Sequence, residues 1–170
     1  DSMFLSKGPR SFNGYLAVSA QLTGDESFQN FQDLVNWMRL NTPPDAKFVS
    51  AGFSESQITQ LPYLTERSTL TLNVYRYRGG LHFLKEDFDA VIGHFEALLG
   101  IPWQEMSATN GVLDRLEELV SGFDEQHFRE MHLGGEPSLH FDYFVTKYDV
   151  SLNFPIVYKI ENITVYRITK

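Results

Sequence analysis

The sequence predicts an α/β fold, a three-layer sandwich with a mostly parallel, Rossmann-like sheet closed by a C-terminal antiparallel hairpin. Three observations predict it. Segments with helical 3–4 apolar spacing alternate with short β-rich runs. A Thr42-Pro43-Pro44-Asp45 stop separates the first helix from the first strand. Two apolar runs, residues 154–160 and 163–168, close the chain around Glu161-Asn162, a two-residue hairpin turn. Alternating elements favour a parallel sheet, and the hairpin adds antiparallel strands.

The elements follow in order. Residues 1–24 read as an irregular lead-in, with Tyr15-Leu16-Ala17-Val18 as a short strand or helix, and residues 25–170 as one α/β domain. A first helix over 27–40 places Phe28, Phe31, Leu34, Val35 and Met38 on one face. Thr23 or Asp25 caps it. A first strand over 47–53 contains Phe48, Val49 and Ala51. Ser54-Glu55-Ser56 then starts a short helix that Pro62 is expected to end. A second strand over 70–77 is broken by Gly79-Gly80. A helix over 87–99 carries Phe88, Val91, Ile92, Phe95, Leu98 and Leu99, and stops at Gly100 and Pro102. A helix over 110–123 presents Leu113, Leu116, Val120 and Phe123 against a solvated side of Asp114, Glu117 and Glu118. After a polar segment over 124–138, a third strand over 140–146 alternates Phe141, Tyr143 and Val145 with His140, Asp142 and Thr146.

Length and composition bound the possibilities. A chain of 170 residues with 42% apolar and 21% charged residues suits one domain with a sizeable core. Aromatics at 14% make that core ring-rich. The net charge of −8 argues against a nucleic-acid surface and against a broad basic patch on anionic lipid. There is no cysteine, so disulfides, thiolate nucleophiles and Cys-ligated zinc are excluded within these residues. No apolar run is long enough to span a bilayer. The start at Asp1 without Met suggests a processed chain or an excised piece of a longer one.

No motif reveals a reaction. Gly52-Phe53-Ser54-Glu55-Ser56 follows the first strand in place of G-x-G-x-x-G, there is no Walker pattern, and G-x-S-x-G is absent. His127, His132, His140 and Asp142 lack the spacing of a metal site, and no metal or cofactor is implied. Open parallel sheets bind ligands beyond the carboxyl ends of their strands. That rim gathers Ser54, Glu55 and Ser56, then Arg76, Tyr77 and Arg78, then Lys147 and Tyr148. Ser54 and Ser56 suit helix capping as well as ligand binding. Arg76 and Arg78, in the densest basic stretch, suit either an anion or surface ion pairs. Asn162-Ile163-Thr164 fits an N-glycosylation acceptor.

The phrase Trp37-Met38-Arg39-Leu40-Asn41-Thr42-Pro43-Pro44-Asp45-Ala46, running into Lys47-Phe48-Val49-Ser50, resembles a segment of the extracytoplasmic soluble domains of polytopic GT-C-type membrane glycosyltransferases and of related uncharacterised multi-pass proteins. Leu64-Thr65-Glu66-Arg67 is similar to a short Arg-bearing turn in such domains. The stretches 141–146 and 154–168 are similar to their closing strand and hairpin. The W-W-D-Y-G motif of the oligosaccharyltransferase branch is missing, and the catalytic carboxylates of the class lie between membrane helices. The resemblance therefore implies a non-catalytic domain on the periplasmic or lumenal face of a membrane, with a cytoplasmic setting left open. Its implied partners are the transmembrane portion of its own parent chain and a lipid-linked sugar or acceptor. Ser54, Glu55, Arg67, Arg76 and Arg78 are the ligand-binding candidates, with no catalytic residue among them. A free-standing soluble enzyme with its site at the strand rim, and a protein-binding module, are the alternatives.

Overall fold

The computed structural model describes residues 26–72, 93, 96–102, 104–105, 112–128 and 141–169. Within them the chain runs α1 (Glu26–Asn41), β1 (Lys47–Ala51), α2 (Glu55–Thr65), β2 (Ser68–Leu72), α3 (Val112–Ser121), β3 (Tyr143–Thr146), β4 (Ile156–Ile160) and β5 (Ile163–Arg167). The five strands form one open mixed sheet in the order β2-β1-β3-β5-β4. β2, β1 and β3 are parallel, whereas β5 is antiparallel to β3 and to β4. The α/β class and the closing hairpin agree with the sequence reading. The lead-in, Gly79-Gly80 and residues 73–77 of the expected second strand lie outside the described residues, as do most of 87–95 and 129–140.

Two apolar clusters pack against the sheet. One joins α1 and α2, through Phe31, Leu34 and Leu61, to Phe48, Val145 and Val165. The other joins α3, through Leu116 and Val120, to Val49, Phe144 and Tyr166. Neighbouring strand residues point to opposite faces, so β1, β3 and β5 each feed both clusters, whereas among the described residues β2 feeds only the second and β4 only the first. This corrects the expected alternation in β3. Phe144, Val145 and Thr146 are all completely buried, because a central strand covered on both faces has no solvated side.

β1 ends two residues earlier than expected, at Ala51. Gly52 has φ +81, which breaks the extended backbone, and a Cβ there would lie 3.0 Å from Lys147 Cβ. Gly52→Ala is therefore expected to cost about 2 kcal/mol, from left-handed strain plus this contact. Urea unfolding should show a lower midpoint with an unchanged m-value.

Pro62 does not end α2, contrary to the sequence expectation. The helix continues to Thr65. An interior proline costs about 3 kcal/mol through a lost hydrogen bond and a ring clash. Three features offset it. Leu61 and Leu64 are buried in the α1-side cluster. Glu66 closes the helix in the left-handed region at φ 56, and its N–H bonds Pro62 O. Thr65 Oγ1 donates to Leu61 O at 2.6 Å.

Candidate functional site

The loop between α1 and β1 folds back on itself through Ala46 N–H to Pro43 O, 3.1 Å. That bond holds Asp45 just outside the first residue of β1. β3 begins beside it. Asp142 is fixed there three times: its N–H donates to Lys47 O, its carbonyl accepts from Ile168 N–H, and its Oδ2 accepts from Lys47 N–H at 2.9 Å. β5 runs the other way, so its final residue, Arg167, arrives at the same rim, paired across the sheet with Tyr143.

These segments line a half-open cavity of about 260 Å³, bordered by Pro43, Asp45, Ala46, Asp142, Tyr143, Arg167 and Ile168. It opens at the amino ends of β1 and β3. The Tyr143 ring is held by stacking on Phe48, with centroids 4.7 Å apart. Among the described residues, the side chains of Asp45 and Arg167 make no hydrogen bond or ion pair. The cavity thus brings one arginine and two aspartates to one wall, set in part by backbone bonds.

The candidates named from the sequence do not converge on one site. Ser54 caps α2: its hydroxyl accepts from Gln57 N–H, and its own N–H donates to Gln57 Oε1. Gln57 Oε1 also accepts from Lys147 Nζ at 3.0 Å, and that ammonium lies 5.1 Å from the centre of the Phe53 ring. Burial raises the Tyr148 phenol pKa, and the nearby charges of Glu117 and Asp114 add to the effect. The carboxyl rim between β1 and β3 is therefore occupied by interactions that start α2. Glu55 lies in the first turn of that helix. Arg76 and Arg78 lie outside the described residues.

Arg67 sits at the other end of α2, about 16 Å away by helix rise, so it cannot share a small ligand with Ser54. It is not in a turn that presents it outward. It is 8% exposed. Its Nε donates to Thr42 Oγ1, Nη1 to Thr65 O and Glu66 O, and Nη2 to Arg39 O and Thr42 O, which engages all five N–H groups. Thr42 Oγ1 in turn donates to Met38 O at 2.6 Å. Arg67 thus ties the carbonyl-rich C-termini of α1 and α2 together, where a cation is favoured.

Among the described residues, no group of three or more His, Cys, Asp or Glu is placed to hold a metal ion. His127 stacks on Phe123 and approaches Asp124, within its own turn. No described helix is long and apolar enough to cross a membrane.

Sequence reasoning missed the cavity because it looked to the carboxyl rim. Asp45 and Arg167 lie far apart in the sequence, and the β1–β3 and β3–β5 pairings together bring them to one edge. The one usable signal was Thr42-Pro43-Pro44-Asp45, a turn that leaves a carboxylate at a strand start. No family model matches the chain, and no curated protein or solved structure shows significant similarity to it.

Proposed function

We propose that these residues form a three-layer, Rossmann-like extracytoplasmic domain of a multi-pass membrane protein, of the lipid-linked-sugar glycosyltransferase type. In this reading the domain is non-catalytic. Its amino rim faces the membrane-embedded part of its parent chain and helps shape the acceptor or donor site.

One observation carries the reading. The stretches that bear the family resemblance meet in space. Thr42 and Arg67, from two of them, interlock through the hydrogen bonds of the helix-end clamp. Pro43, Asp45 and Ala46 from the first stretch share one cavity with Asp142, Tyr143 and Arg167 from the closing strand and hairpin. Stretches that carry the resemblance and assemble into one rim suit a surface with a common task. Leu40 and Tyr63, at 83% and 80% exposure, stand in the last turns of the two helices that Arg67 joins.

Membrane topology of the full-length protein tests the proposal. The 170 residues contain no cysteine, so Lys159→Cys on exposed β4 gives this domain a single labelling site. Spheroplasts, or inside-out vesicles of an internal membrane, expose the extracytoplasmic face and are treated with a membrane-impermeant maleimide. The expected result is a membrane-bound protein whose introduced thiol is labelled, with a signal above that of the unsubstituted control. Labelling only after permeabilisation, or recovery of the full-length protein in the soluble fraction, overturns it.

A further inference from the structure

We infer that the amino-rim cavity binds a small zwitterion, a molecule carrying an ammonium group and a carboxylate a few bonds apart. The charges lining it set the class. Arg167 offers a planar fork of donors matched to a carboxylate, and its side chain has no hydrogen-bond or ion-pair partner among the described residues. Asp45 and Asp142 offer acceptors for an ammonium. Asp142 is pre-positioned, because Lys47 N–H holds Oδ2 and leaves Oδ1 for a ligand. Organised acceptors of this kind lower the ordering cost of binding.

The same inventory disfavours the other small-ligand classes. A phosphate or pyrophosphate would bring two or more negative charges against two carboxylates with a single guanidinium to offset them. A simple carboxylic acid would leave both aspartates unanswered, and a simple amine would leave Arg167 unanswered. The volume of about 260 Å³ falls below the range of drug-sized ligand sites, which limits the ligand to a small molecule. Tyr143, Pro43 and Ile168 supply apolar surface for the methylenes between its charged ends.

The assignment rests on the preceding reading only in taking the amino rim as a binding surface. It does not depend on where the domain resides. Titration of the 170-residue chain can therefore fail while topology mapping succeeds, and the reverse.

The test is an amide NMR titration with glycine, β-alanine and γ-aminobutyrate, which space the two charges differently. Ethylammonium chloride, sodium acetate and inorganic phosphate serve as single-charge-type probes. All the charged groups are solvent-accessible, so a dissociation constant on the order of millimolar is expected. At least one zwitterion should give saturable shifts at Ala46, Tyr143 and Ile168, and bind more tightly than any of the three controls. Arg167→Gln and Asp45→Asn, both at exposed positions, should each weaken it by about fivefold to tenfold. Asp142→Asn keeps an acceptor for Lys47 N–H, and should weaken binding while preserving the dispersed spectrum of the fold. Phosphate binding more tightly than every zwitterion overturns the assignment. So does the absence of saturation at ligand concentrations on the order of 50 mM. Binding that Arg167→Gln and Asp45→Asn both leave unchanged overturns it as well.

Discussion

Replacing Arg67 by alanine is expected to destabilise the domain by about 3–5 kcal/mol, enough to bring a domain of ordinary stability close to unfolding. The loss follows from what the guanidinium leaves behind. Arg39 O, Thr42 O, Thr65 O and Glu66 O sit at two helix ends and accept from it. Helix-terminal carbonyls have no partner within their own helix, and leaving buried ones unpaired carries a desolvation cost. Lysine is expected to recover only part of the loss. Its compact ammonium has three donors and cannot span both helix ends as the planar fork does. Guanidinium-chloride unfolding of the wild type, Arg67→Ala and Arg67→Lys should order their stabilities in that sense, with lysine between the other two. An alanine variant within about 0.5 kcal/mol of wild type would show that the clamp contributes little.

Phe144→Ala is expected to cost about 3–5 kcal/mol and to loosen one whole face of the sheet. Phe144 is fully buried on the central strand β3. Its ring centroid lies 5.2 Å from that of Phe128, 6.1 Å from Phe123 and 6.2 Å from Tyr166. Truncation leaves a cavity bordered by stiff rings, which cannot collapse as flexible aliphatic chains can. Phe144→Leu retains most of the volume, and its loss should be roughly half as large. Thermal unfolding followed by near-ultraviolet circular dichroism would report both the stability and the aromatic packing.

The parts of the fold legible in the sequence are those set by local chemistry. α1 shows its buried face in Phe31, Leu34, Val35 and Met38, and Pro43-Pro44 marks where it stops. The β4–β5 turn is legible in Glu161-Asn162, and Glu161 adopts the left-handed conformation at φ 47. Elements set by distant contacts read less well. Pro62 looks like a terminator until the burial of Leu61 and the clamp from Arg67 are known. Thr146 looks solvent-facing until both faces of β3 are covered. The candidate site reads worst of all. A strand-rim rule points to Ser54, whose hydroxyl caps a helix. The cavity-lining aspartates and Arg167 carry no motif, because their relation exists only through strand pairing.

The bond from Lys47 N–H to Asp142 spans 95 positions in the sequence. Asp142 also anchors Ile168, so the cavity wall is assembled from the beginning and the end of the sheet at once. Contacts of such long range carry a large loop-closure penalty and form late on average in folding. Ligand competence should therefore appear with the last step of folding rather than with the helices. During synthesis, a nascent chain that has not yet released Arg167 has no complete cavity, however well α1 and β1 have formed. A ligand for this cavity would act as a selective stabiliser of the finished domain, shifting the folding equilibrium without engaging its partly built precursors.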